Sequence, residues 1–205
     1  MPLPKGQHEY TYKDYLSWPE DERWEIIDGI AYAQATPSPL HQRISGNLYF
    51  ELHGYLKGKQ CQVFAAPFTV RLPMDNGETD ESKNKNVVEP DLSIVCDKSK
   101  LDKNGYSGTP TLIIEIVSKS SVKRDQFIKL NKYEKAGVDE YWIISPENQS
   151  IAKYSLNEQG DYDKPNICAM ADDEVIISST FTDLTIKLKN IFETWGENAN
   201  GDGFD

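Results

Sequence analysis

The sequence lacks most features that identify membrane, secreted or zinc-binding proteins. No apolar run approaches the roughly 18 residues of a membrane span, and the first 20 residues lack the apolar core of a signal peptide. Its three cysteines, Cys61, Cys96 and Cys168, are odd in number and have no C-x-x-C spacing, which argues against a disulfide framework or a zinc site. We therefore expect a cytoplasmic protein whose cysteines are buried thiols.

The sequence also lacks an excess of positive charge and the motifs of nucleophilic hydrolases. It has no G-x-S-x-G motif. Its formal net charge of −11 counts against nucleic-acid binding, because phosphate contacts supply most nonspecific affinity. Past residue 170 there are eight acidic residues and two lysines, so −6 of the net charge lies near the end of the sequence. The segment 119–135, by contrast, carries six basic and two acidic residues. The basic residues of that segment either form an ordinary solvated helix face or create a positive electrostatic field beside a functional site.

Length and composition predict one domain. A chain of 205 residues, 38% of them hydrophobic, can bury roughly 70% of its unfolded surface in a single core. We assign residues 1–195 to this domain. The polar stretch 196–205 is predicted to be a disordered tail.

The rest of the chain is organised around residues 87–145. Two strand-like runs, VVEPDLSIV and TLIIEIVS, each carry an acid that interrupts apolar residues. In the second run the acid is Glu115, and a buried carboxylate costs several kcal/mol unless it is paired or binds a metal. Asp91, on the first run, could share one cation with it. The pattern therefore predicts a metal site on Asp91 and Glu115, which favours Mg²⁺ or Mn²⁺ as the cation.

Alternation of side chains along these strands defines their faces. Ile113, Glu115 and Val117 are predicted to share one face of their strand. The next segment predicts a helix from Ser120 or Ser121 to Ala136, ended by Gly137. Phe127 and Leu130 would pack on the sheet, while Asp125, Lys129 and Tyr133 form one polar stripe. Strand, helix and strand then form a right-handed βαβ unit with parallel strands.

The flanking segments predict additional strands and one long helix. WEIID and IAYAQ, joined through Gly29, are typical of a hairpin. Ser38 and Pro39 begin an amphipathic helix that runs to about Leu56. Residues 61–72 are predicted to form a strand in which Pro67 marks a bulge or an edge position. The stretch beyond residue 150 predicts strands that extend the sheet or cover one end, and then a short helix.

Six pieces of the chain, in order, resemble those of a known family. They are WEIIDG at 24–29, SPLHQRISGNL at 38–48, EPD at 89–91, TLIIEIVSKSS at 111–121, D-x-x-x-K-x-x-x-Y at 125–133 and AGVDEYWIISP at 136–146. The sequence is similar to the "putative restriction endonuclease" family within the PD-(D/E)XK nuclease superfamily. This resemblance implies an α/β (α+β) fold with a restriction endonuclease-like core. In that core the elements follow the chain order αβββαβ and the strands form a mixed sheet. An N-terminal hairpin and C-terminal strands are added to it.

The resemblance also implies an activity and the residues that perform it. It implies a Mg²⁺- or Mn²⁺-dependent endonuclease in which Asp91 and Glu115 are catalytic metal ligands. Two residues after Glu115, where the superfamily usually has its lysine, this chain has Val117. The resemblance implies that Lys129, from the following helix, replaces that lysine.

Supporting residues are assigned with their alternatives. Asp125 would hold the Lys129 ammonium, and Tyr133 either hydrogen-bonds in the site or packs on the sheet. Glu25 either lies near the metal, as the resemblance implies, or is a salt-bridged strand residue. His41 either lines the cleft or makes a structural hydrogen bond. Candidate substrate-binding residues are the basic side chains of the helix, Lys123, Arg124 and Lys132.

Two functional hypotheses remain open at this stage. The first is an endonuclease that hydrolyses phosphodiester bonds, with DNA as the expected partner, no membrane partner, and a homodimer as one conceivable assembly. The second is a catalytically inactive relative that binds nucleic acid or protein, which the acidic balance and the valine at position 117 favour. Metal binding with and without cleavage distinguishes them.

Overall fold

A computed structural model describes residues 8–19, 21–74, 80–118, 124–171 and 174–193, with the side chains of 124–126 excepted. In these ranges the chain forms four α-helices and fourteen strands. In chain order they are α1 (Tyr12–Tyr15), β1 (Trp24–Ile27), β2 (Ile30–Ala33), α2 (Pro39–Leu56), β3 (Gln62–Ala65), β4 (Val70–Arg71), β5 (Val87–Val88), β6 (Leu92–Val95), β7 (Leu101–Asp102), β8 (Gly105–Ser107), β9 (Leu112–Ile116), α3 (Leu130–Ala136), β10 (Glu140–Ser145), β11 (Ser150–Ser155), β12 (Asn166–Ala169), β13 (Val175–Ile177), β14 (Thr185–Lys187) and α4 (Leu188–Phe192). No helix in these ranges is long and apolar enough to cross a membrane.

A six-stranded central sheet has the order β12-β11-β10-β9-β6-β3. β9 lies between β10, which is parallel to it, and β6, which is antiparallel. α3 connects β9 to β10, so the predicted βαβ unit with parallel strands is present. The predicted core order of helix, three strands, helix and strand is confirmed as α2, β3, β6, β9, α3 and β10.

The two faces of the central sheet bury different elements. On one face, α2 packs its residues Ile44, Leu48, Leu52 and Leu56, which recur every four positions and therefore form one stripe. Each such buried side chain contributes about 1.5 to 3 kcal/mol. Helix α2 begins as predicted, because the Ser38 hydroxyl accepts a hydrogen bond from the His41 backbone N–H at 3.2 Å.

The other face of the central sheet is covered by α3 and by a second six-stranded sheet, which has the order β2-β1-β5-β4-β8-β7. The predicted hairpin is β1 and β2, and its turn places Asp28 at φ 50° and Gly29 at φ 75°. These positive φ angles suit the two-residue turn that matches strand twist. The hairpin brings β1 over the face on which Ile113 and Val117 lie.

Residues 61–72 depart from the predicted single strand. β3 pairs with β6 in the central sheet, whereas β4 belongs to the second sheet. Towards the end of the chain, β11 and β12 extend the central sheet, and β13 and β14 form a separate two-stranded sheet. The tail assigned to 196–205 lies outside the described residues.

The prediction of three free thiols is wrong for two of the cysteines. Cys61 and Cys96 form a disulfide, while Cys168 is a free, buried thiol. The cause is strand pairing: Gln62 lies opposite Val95, so the antiparallel register continues to Cys61 opposite Cys96. Cysteine count and spacing do not reveal this register.

The predicted helix after β9 is only partly regular. Residues Arg124–Lys129 form a π-helix, which continues as α3 and ends at Gly137 with φ 77°. The wider π turns change the direction of the side chains, so Phe127 is 62% exposed instead of packed on the sheet. Leu130 does pack against the core, at half-buried exposure. The proposed N-cap at Ser120 or Ser121 lies outside the described residues.

Candidate active site

Glu115 is the centre of the candidate site. It lies in β9, flanked by strands on both sides, and is 4% exposed on the face that carries Ile113 and Val117. Its Oε1 accepts hydrogen bonds from Lys129 Nζ at 2.7 Å and from the Tyr133 hydroxyl at 2.9 Å. The polar stripe predicted from sequence therefore brings two of its members, Lys129 and Tyr133, to this carboxylate.

Lys129 ends the π-helix and is almost completely buried. Its Nζ lies 2.7 Å from Glu115 Oε1 and 2.7 Å from Glu25 Oε1. An ammonium at this depth needs such partners, because desolvation of an unpaired charge costs several kcal/mol. The lysine therefore points from its helix towards β9 and β1, and it lines a cleft together with Val117.

Tyr133 is completely buried beside two carboxylates. Burial, and then the charges of Glu115 and Glu25, raise the pKa of Tyr133 well above its ordinary value of 10. The hydroxyl therefore keeps its proton and donates a hydrogen bond to Glu115. The Tyr133 ring also packs edge-on against the ring of Tyr141 in β10, with 5.0 Å between the ring centroids. Tyr133 therefore both makes a hydrogen bond in the site and packs on the sheet, which were the two alternatives considered.

Asp91 precedes β6 and faces β9. Leu92 lies opposite Ile114, so continuation of the antiparallel register places Asp91 next to Glu115. Asp91 Oδ2 accepts a hydrogen bond from the Ile116 backbone N–H at 2.7 Å and lies 3.1 Å from His41 Nε2. Two contacts to one oxygen fix the orientation of the carboxylate.

His41 comes from the first turn of α2 and lines the same cleft. Burial disfavours its charged form, but the hydrogen bond and charge of Asp91 outweigh this and raise the pKa of His41 above 6.5. Its Nδ1 is buried and has no hydrogen-bond partner among the described residues. His41 therefore lines the cleft and also makes a hydrogen bond with Asp91, so its placement agrees with both alternatives.

Sequence reasoning missed one acid of the site and its partners. Glu89 is 7% exposed and lines the cleft. Its carboxylate accepts hydrogen bonds from Arg23 Nε at 3.0 Å and from the Tyr15 hydroxyl at 2.8 Å. The available signal was position, because Glu89 lies two residues before Asp91 and strand alternation directs both to one side.

Several of these residues line an open cleft of about 730 Å³, which is bounded by α2, the chain after β2 and the ends of β3, β9 and β10. Its lining includes the following site residues: Arg23, His41, Glu89, Asp91, Glu115, Val117 and Lys129. Glu147 also lines the cleft, and Glu25 is buried behind Lys129. With Glu89, Asp91 and Glu115 these make five carboxylates against the two permanent cations Arg23 and Lys129, so the formal charge is −3 when His41 is neutral. A divalent cation would offset most of this charge.

The donor set fits a hard cation that keeps much of its water. In the described part of the chain, no three His, Cys, Asp or Glu side chains form a ready-made ligand group. Among the described residues, Asp91 and Glu115 would supply the side-chain ligands, with a backbone carbonyl such as that of Ile116 and water completing the shell. Mg²⁺ is commonly held in this way, by one or two carboxylates and several waters.

Among the remaining predicted residues, Lys132 lies outside the cleft. Lys132 forms an ion pair with Asp28 in the hairpin turn, and neither lines the cleft. Arg124 and Asp125 belong to the π-helix, but their side chains lie outside the described part, as does all of Lys123. Their assigned roles remain predictions.

Comparison with known proteins agrees with this architecture. A family model described as "Uma2: Putative restriction endonuclease" matches residues 12–189. An uncharacterized protein of Synechocystis sp. (strain PCC 6803) is 26% identical over 164 residues, which cover 78% of this chain and 80% of that protein. The crystal structure of "a putative nuclease belonging to DUF820" from Anabaena variabilis has a TM-score of 0.70 at 19% identity, and the match covers 89% of this chain and 97% of that one. The fold is that of restriction endonuclease-like nucleases.

Proposed function

We propose that this chain, which belongs to the Uma2 family of "putative restriction endonucleases", is an endonuclease that hydrolyses phosphodiester bonds of DNA with Mg²⁺ or Mn²⁺. The observation that carries the proposal is the convergence of Asp91, Glu115 and Lys129 on one cleft. Two carboxylates beside a lysine match the needs of this reaction, because charge that develops on the phosphate must be neutralised while water attacks.

Each residue has a role that follows from its position. Asp91 and Glu115 would hold the cation, which when bound acidifies water and neutralises phosphate charge. The Ile116 N–H and His41 hold the Asp91 carboxylate in one orientation. Lys129 presents its ammonium to the cleft from the position next to Glu115, where it can orient the attacking water or stabilise negative charge on the phosphate.

DNA is the proposed substrate because basic residues concentrate in the helix beside the cleft. The segment 119–135 contains six basic and two acidic residues. Lys123, Arg124 and Lys132 are the proposed phosphate-contacting residues of this segment, and Asp125 is proposed to support Lys129. In the described part of the cleft lining, both Arg23 and Lys129 are already paired with carboxylates. Substrate phosphates would therefore be bound by the cation and by basic residues outside the cleft lining, among which Lys132 would exchange its Asp28 partner for a phosphate.

Divalent-dependent nicking of supercoiled plasmid, measured over a range of salt, tests the proposal. Wild type should nick DNA with Mg²⁺ or Mn²⁺ and stop when EDTA is added. Asp91→Asn should be inactive, whereas Asp183→Asn, which neutralises an exposed carboxylate that pairs with Lys59 outside the cleft, should cut like wild type. If wild type binds Mn²⁺ but cuts no DNA or RNA, single- or double-stranded, the chain is a binding module and the proposal is wrong.

A further inference from the structure

Glu25 is a buried carboxylate to which the proposed mechanism gives no task. It lies in β1 with no exposed surface, behind Lys129. Glu115 and Lys129 line the cleft, whereas Glu25 is absent from the described lining. Along β1, Trp24 and Ile26 face the aromatic cluster of the N-terminal segment, so alternation turns Glu25 towards α3 and β9.

One oxygen of Glu25 joins two parts of the site. Glu25 Oε1 lies 2.7 Å from Lys129 Nζ and accepts a hydrogen bond from the Glu89 backbone N–H at 2.9 Å. The peptide at Glu89 begins the short segment that carries Asp91. Through this oxygen, the helix that bears Lys129 and the segment that bears Asp91 have a common point of attachment.

We propose that Glu25 is a positioning residue that anchors the Lys129 ammonium independently of Glu115. The inference rests on the proposed function, in which Glu115 binds a cation. A divalent cation at Glu115 would repel the nearby ammonium and compete for the same carboxylate. Glu25 lies outside the cleft, so its charge remains available to the lysine, and the Glu89 N–H keeps its oxygen in place.

The first experiment needs neither metal nor substrate. Metal-free protein is treated with formaldehyde and dimethylamine–borane, and methylation of each lysine is followed by mass spectrometry. In wild type, Lys129 should react slowly and exposed Lys135 quickly. Glu25→Gln keeps an oxygen acceptor but removes the charge, and it should accelerate methylation of Lys129 by roughly tenfold, as expected for one weakened charged hydrogen bond.

The matched control is Glu140→Gln. Glu140 is also a fully buried strand carboxylate with several hydrogen-bond donors, but its partners are Trp142 and the 178–180 segment, and it does not line the cleft. This variant should lose stability while leaving the Lys129 methylation rate unchanged. If Glu25→Gln does not fold, Glu25→Asp takes its place, because it retains the charge but withdraws the oxygens by one methylene.

Cleavage kinetics supply a second readout, which would not change if the ion pair of Glu25 with Lys129 were only structural. Glu25→Gln should lower kcat by roughly 10- to 100-fold, in the range of lost supporting contacts, with KM and Mn²⁺ affinity close to wild type. If Lys129 methylation stays at the wild-type rate, the inference is overturned whether or not the protein cuts. A normal kcat with a lowered Tm also overturns it. If wild type does not cut but Glu25→Gln frees Lys129, the proposed function fails and the anchoring stands.

Discussion

Lys129 Nζ lies 2.7 Å from Glu115 Oε1, although fourteen residues separate them in the chain. The π-helix and α3 return the chain to β9 and place this amine beside the acid. Two residues after Glu115, Val117 lines the same cleft and leaves the space that a lysine there would fill. The helix thus places the Lys129 amine close to the site position that a strand lysine occupies in the nuclease pattern to which the sequence is similar.

The two proposed metal ligands can be tested by neutralising each. Glu115→Gln and Asp91→Asn should abolish Mn²⁺ binding, because a cation with two carboxylate ligands loses affinity when either charge is removed. Isothermal calorimetry measures this, and circular dichroism checks that the fold is retained. Asp28→Asn is the control and should bind Mn²⁺ like wild type. Unchanged binding in either site variant would place the metal elsewhere.

Removal of the Lys129 charge should separate catalysis from metal binding. Lys129→Met keeps much of the side-chain volume, so Mn²⁺ affinity should not fall, while cleavage should drop by roughly 10²- to 10⁴-fold. The variant should also be about 3 to 5 kcal/mol less stable, because Glu25 and Glu115 lose their shared cation. Lys132→Met, from an ion pair outside the cleft, should instead raise KM and reduce its salt dependence. Equal cleavage by wild type and Lys129→Met would exclude the lysine from the mechanism.

A lysine at position 117, directly after β9, should recover part of the cleavage activity that Lys129→Met loses. Val117 is 8% exposed and lines the cleft, so a lysine there can extend into it. Val117→Lys combined with Lys129→Met should therefore cut faster than Lys129→Met alone. Plasmid nicking measures the difference, and Val117→Met in the same background controls for side-chain size. If Val117→Lys cuts no faster than Val117→Met in the Lys129→Met background, a lysine at position 117 does not replace Lys129.

His41 should matter through the orientation of Asp91. His41→Ala removes one of the two contacts to Asp91 Oδ2 and should weaken Mn²⁺ binding by roughly 10- to 100-fold, as is typical of groups that orient metal ligands. His41→Asn retains a donor near the same place and should lose less. Calorimetry on both variants checks the order. Equal affinities for wild type and His41→Ala would assign His41 a structural role alone.

Glu140 should govern stability without affecting the site. Its carboxylate accepts hydrogen bonds from Trp142 Nε1, Ser178 Oγ and the backbone N–H groups of Ser179 and Thr180. Glu140→Ala leaves these donors without an acceptor and should cost about 3 to 5 kcal/mol of unfolding free energy. Urea unfolding measures the loss. Mn²⁺ affinity of the folded variant should equal that of wild type, and a changed affinity would show coupling to the cleft.

Local patterns were sufficient for the main core elements and for the face on which Glu115 lies, but not for the short strands β7 and β8. Alternation along the strand identified the face of Glu115, and apolar periodicity with the Ser38 cap located α2, because both depend on neighbours in the chain. The stripe of Lys129 and Tyr133 was also local, since these residues lie one turn apart and both contact Glu115. The π-helix was not predicted, and exposed Phe127 is its consequence.

The sequence by itself therefore determined the core order and the neighbourhood of Asp91 and Glu115, through periodicities of two and of about 3.6 residues. Tertiary structure alone decided which distant segments meet. The register of β3 against β6 joined Cys61 to Cys96, and packing of β1 against α3 brought Glu25 to Lys129. Neither pairing leaves a local pattern, because strand register and layer packing depend on how the whole chain buries its apolar surface.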